Sequence, residues 1–200
     1  MEYNKSLLES WTGDFEKYDL EGDSDEESWN SMWQGIIENH RINKRIEYCK
    51  SLLAENKDAF LCYVLARLYS FWDSGHCTQV MHMRPVRYYC IMAIRIDRDY
   101  ARAWALISAV YWRLSLVERA KKHLFEGDGD FVEEAELFQS ATKKNCSRPL
   151  FDVCENRRKQ IKYIEKAIYC IKRALQKEPL SERYQGLQRC YFQERNEIYK

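Results

Sequence analysis

Two hundred residues suffice for one hydrophobic core or one short solenoid, and a composition of 46% hydrophobic and 14% aromatic residues excludes a disordered chain. Seven glycines and three prolines are too few for a loop-rich β architecture and point to helices. The net charge of +1 conceals an asymmetry: residues 1–30 hold ten acids and two bases, a net of −8, which leaves +9 for the rest.

In chain order, residues 1–27 read as an acidic N-terminal segment. Asp19–Glu27 is expected to be mobile or lightly packed, while Trp11, Phe15, Tyr18 and Leu20 supply apolar anchors. Helices are predicted through Trp29–Asn39 and Asn43–Ala54, with Asp58 capping a third in which Leu61, Leu65, Leu68 and Trp72 recur at helical spacing. Asp73–Thr78 reads as a loop, Pro85 as the opening of a helix that runs through Ile96, and Ala101 as the start of one that persists to about Phe125. Glu126–Asp130, with two glycines, breaks the pattern before a helix over Phe131–Lys144. Pro149 starts a long helix reaching Lys177, Glu178–Ser181 turns the chain, and Ser181 can cap a last helix through Tyr199. The expected fold is all-α, with about eight helices.

One phrase recurs. Trp104, Ile107, Ser108 and Tyr111 follow Ala93-Ile94-Arg95-Ile96-Asp97; Tyr184, Leu187 and Tyr191 follow Ala167, Ala174-Leu175 and Glu178-Pro179; and Cys62, Leu65-Ala66 and Tyr69 repeat the spacing. These residues resemble the tetratricopeptide repeat family, with Arg98 where its proline is usual and Gln188 where a small residue is expected. The resemblance implies an α-solenoid of antiparallel helix pairs over residues 28–200, with irregular repeats and a lengthened C-terminal half. It also implies a concave groove lined by the first helix of each pair. Helical spacing around the matched phrases puts Tyr63, Arg67, Phe71, Arg102, Trp112, Arg113, Arg189 and Phe192 there. Such a lining suits an acidic or aromatic-containing peptide. Ala105 and Ala109 stand at places where chaperone-binding members use polar clamp residues, which disfavours that specificity.

Chemistry finds little support. Gly127-Asp128-Gly129 lacks the Lys-Ser/Thr of a phosphate loop, the Asp-rich stretches lack the ligand spacing of a calcium loop, and His76, Cys77 and His82 have no Cys-x-x-Cys partner for zinc. Eight cysteines and four histidines make accidental pairs common, and no nucleophile elbow is present. No catalytic residue, metal ligand or cofactor is therefore assigned, and the chain reads as a non-enzymatic scaffold for a protein or peptide partner. The alternatives are an assembly or secretion-type chaperone and, given the basic excess over 143–177, a single-stranded nucleic-acid binder. Without a secretory signal or an apolar run of ~18 residues, the thiols read as reduced and the location as cytoplasmic, with no membrane span.

Overall fold

The computed structural model describes residues 4–18, 28–71, 79–126 and 153–200, and the side chains of 4–11, 40–70, 83–119 and 157–200. Over these residues the chain is all-helical: α1 (Lys5–Tyr18), α2 (Ser28–Glu55), α3 (Ala59–Phe71), α4 (Gln79–Ile96), α5 (Ala101–Glu126), α6 (Val153–Lys177) and α7 (Glu182–Tyr199). Among the described residues no helix is long and apolar enough to cross a membrane. The expected loop at Asp73–Thr78, the Gly127–Asp130 corner, the helix over Phe131–Lys144 and the start at Pro149 lie outside the described residues.

Two caps form as their sequences require. Asp58 Oδ1 accepts from the Phe60 amide at 2.7 Å, and Ser181 Oγ accepts from the Tyr184 amide at 3.4 Å. Two boundaries differ from expectation. Residues 29–54 form one helix rather than two, because His40-Arg41-Ile42 contains no breaker and buried Ile42, Ile46, Cys49 and Leu52 keep the apolar period through it. Pro85 does not open α4, which begins at Gln79. The proline lies within the helix, where its nitrogen has no hydrogen for the carbonyl of Met81.

The chain divides into two compact units, Met1–Ala103 and Trp104–Lys200. In the first, α3 is the central element: every residue from Ala59 to Leu68 is buried, as befits a helix covered on all sides. Leu8 of α1 and Ile42, Ile46, Cys49 and Leu52 of α2 close on Phe60, Leu61, Val64, Leu65 and Leu68. Trp11 adds an edge contact to Tyr48 and receives Arg45 over its ring at 5.2 Å, so part of the acidic segment is docked. The small residues Ala59, Cys62, Ala93 and Ala103 meet in a second cluster, which permits close backbone approach. Tyr69 stacks on Tyr89 at the other end of the α3–α4 pair, so the two helices are antiparallel.

In the second unit, Trp104 meets Tyr169 while Tyr111 meets Tyr163, so α5 and α6 are antiparallel. Arg157 reaches the carbonyl of Ile198 and Arg195 reaches Glu165, which makes α6 and α7 antiparallel too. Ser108 meets Tyr191 and Arg119 meets Glu194, so α5 and α7 run the same way. Ile164, Ala167, Ile171 and Ala174 form the buried stripe of α6, at spacings of three and four. The turns before α5 and α7 share one hydrogen-bond pattern. Asp97 donates to Ala93 and Tyr100 to Asp97; 81 residues later Glu178 donates to Ala174 and Ser181 to Glu178.

Candidate functional site

Helix α6 carries eight lysines and arginines against two glutamates. Its inner face is apolar, so these charges are driven to the outside: Arg158, Lys159, Lys162, Lys166 and Lys172 are exposed. Glu165 lies on the α7 side, 3.9 Å from Arg195. The side towards α5 is basic and aromatic.

Along that α5–α6 seam two arrangements repeat. Arg173 lies over the ring of Trp104 at 5.6 Å, and Lys166 lies over the ring of Tyr111 at 5.3 Å. Each ring also meets a tyrosine of α6: Tyr169 edge-on to Trp104 at 6.1 Å, and Tyr163 stacked on Tyr111 at 6.4 Å. Tyr169 is 58% exposed and sits between the two cations in sequence. The rings hold the cations by attraction to their π faces, with Lys166 exposed and Arg173 half-buried.

The residues selected from sequence fall into different environments. In the first unit Tyr63 is buried, its ring edge-on to Tyr100 at 5.6 Å, and Arg67 is buried in α3. Arg102 is exposed at the start of α5, and the side chain of Phe71 lies outside the described residues. In the second unit Trp112 is half-buried against Tyr191, with ring centroids 5.7 Å apart, while Arg113 and Arg189 are exposed. Phe192 points to the α6 side, between Lys172 at 5.4 Å and Arg195 at 4.9 Å, and so does not share the α5–α7 seam with Trp112. Sequence reasoning missed Tyr163 and Tyr169 and treated Trp104 and Tyr111 as packing residues only. The signal was present: Trp104 and Tyr111 on one helix, and Lys166 and Arg173 on the other, are each seven residues apart.

At the far end of this unit the polar side chains converge. Arg119 makes two hydrogen bonds to the Glu194 carboxylate, at 3.1 and 3.2 Å, and approaches Glu197 at 3.8 Å. They border a cleft of about 320 Å³ with Arg157, Gln160, Ile198 and Lys200. Its lining carries both signs of charge and no cysteine, serine or threonine.

Burial pushes the Cys49 and Cys170 thiols up to about 12 and that of Cys62 to about 11. These thiols stay protonated at neutral pH and are poor nucleophiles. Among the described residues no three His, Cys, Asp or Glu side chains gather in a way that could hold a metal ion. His76 and Cys77, and the side chain of His82, lie outside them. Compared with known protein families, with curated proteins and with solved structures, the chain matches none.

Proposed function

We propose that the chain is a non-catalytic helical-repeat scaffold, resident in the cytoplasm, that binds an acidic segment of a partner protein. The observation that carries this reading is the outer face of α6, a row of exposed lysines and arginines with exposed Tyr169 set among them. Rigid aromatic and arginine anchors on preformed helices are what protein interfaces use for most of their binding energy. Burial argues against chemistry at Cys49, Cys62 and Cys170, and free buried cysteines suit a reducing compartment.

Two features support tetratricopeptide-like repeats. The turns before α5 and α7 repeat the same hydrogen bonds, and α5 and α7 run parallel with α6 antiparallel between them in sequence, as successive first helices of a solenoid would. The turns are 81 residues apart, whereas the aromatic phrases (Trp104 and Tyr184, Tyr111 and Tyr191) are 80 apart. That slip corresponds to roughly 100° of helix rotation.

Cross-linking in the native host, with the partner then purified, tests the reading. A protein cross-linked through an acidic segment is expected, with affinity that falls as salt rises and falls further in an Arg158→Glu, Lys162→Glu variant of the α6 face. Turnover of a small molecule by the purified chain, or recovery of nucleic acid in place of protein, overturns it.

A further inference from the structure

The α5–α6 seam has a period, and the period selects the shape of its occupant. Arg173 on Trp104 and Lys166 on Tyr111 are seven residues apart on both helices, which separates the two cations by about 10.5 Å along the seam. Tyr169 offers an exposed ring between them. A partner must therefore present two anions about 10.5 Å apart on one face with apolar surface between. A helix does so with acidic residues seven apart, two turns in phase. An extended chain does not, because its same-face side chains recur at about 7 and about 14 Å. A single-stranded nucleic acid would stack its bases on open ring faces, and here the faces of Trp104 and Tyr111 are covered by the cations.

We propose that this seam is a docking surface for an acidic amphipathic helix of a partner protein, with its carboxylates on Lys166 and Arg173 and an apolar side chain against Tyr169. The proposal rests on the scaffold reading and names the surface and the partner's secondary structure. Arg173 already donates from Nη1 to the Gln176 side-chain oxygen at 2.9 Å, so a carboxylate is met by the remaining hydrogens of its guanidinium, and the lysine supplies a point charge beside it.

The test uses the full chain and labelled peptides of about 20 residues, long enough to be helical in water, read by fluorescence anisotropy. One peptide carries glutamates seven residues apart with leucine between; its isomer has the same composition with the glutamates five apart. The first is expected to bind about tenfold more tightly than the isomer, and to lose about tenfold on Tyr169→Ala or on Lys166→Glu with Arg173→Glu. Helical content by circular dichroism should be unchanged in these variants, because Lys166 and Tyr169 are exposed and Arg173 is only half-buried. Arg173→Lys keeps the charge without the fork and should retain part of the affinity if folding is the concern. Equal binding of the two isomers overturns the register, and tighter binding of a pyrimidine oligonucleotide than of either peptide overturns the partner class. If the cross-linked partner binds the Lys166→Glu, Arg173→Glu variant undiminished, this surface is wrong while the scaffold reading stands.

Discussion

Ser108 donates its single hydroxyl proton to the carbonyl of Ala105 at 2.6 Å, so in the 3.2 Å contact with Tyr191 the tyrosine must be the donor. Both residues are fully buried, and burial pushes the Tyr191 phenol up to about 12. The two deletions are therefore unequal. Ser108→Ala leaves a buried phenol without an acceptor and is expected to cost about 1–3 kcal/mol, whereas Tyr191→Phe removes the donor itself and should cost about 0.5–1.5 kcal/mol. Urea unfolding of both variants checks the order; a larger loss in Tyr191→Phe would reverse the donor assignment. The small residue and the tyrosine were legible in the sequence as packing residues. Their hydrogen bond was not, because it joins positions 83 residues apart.

At the scale of elements, local chemistry decided helix starts better than helix interiors. Asp58 and Ser181 were readable as caps because the bond each makes reaches only two or three residues along the chain. The union of residues 29–54 into one helix and the position of Pro85 inside α4 were not readable. The first depends on burial of Ile42, Ile46, Cys49 and Leu52 against α3, which outweighs weak local preference, and the second puts the proline about one and a half turns inside a helix that begins at Gln79. Helix α7 keeps one internal glycine, Gly186, around which a β-carbon would meet nothing within 4 Å. Gly186→Ala is accordingly expected to stabilise the protein by about 0.5–1 kcal/mol, through lost freedom in the unfolded chain. Thermal unfolding measures it, and a lowered midpoint would show that α7 needs the glycine.

For the whole molecule, the buried thiols weaken the fold at alkaline pH. Cys49, Cys62 and Cys170 ionise at 9.0 when unfolded and at about 12, 11 and 12 when folded. The folded state thus holds protons that the unfolded chain has released, so stability is full below pH 9 and declines as pH rises towards 12. Tyr191 adds to the same trend from its ordinary value of 10.0 to about 12. Urea midpoints followed upward from neutral pH should stay flat to pH 9 and then fall; a midpoint that rises over that interval contradicts the burial of these groups.

Composition and periodicity alone determined that this chain is helical, where most helices lie and that its basic charge gathers on one late helix, because those properties depend on neighbours three or four residues away. The tertiary structure decided which of its aromatic and basic residues share a surface. It buried Tyr63 and Arg67, turned Phe192 towards α6, and paired Trp104 with Arg173 and Tyr111 with Lys166. Those outcomes follow from which helix packs beside which and at what rotation, and a single-residue slip in register changes them by about 100°.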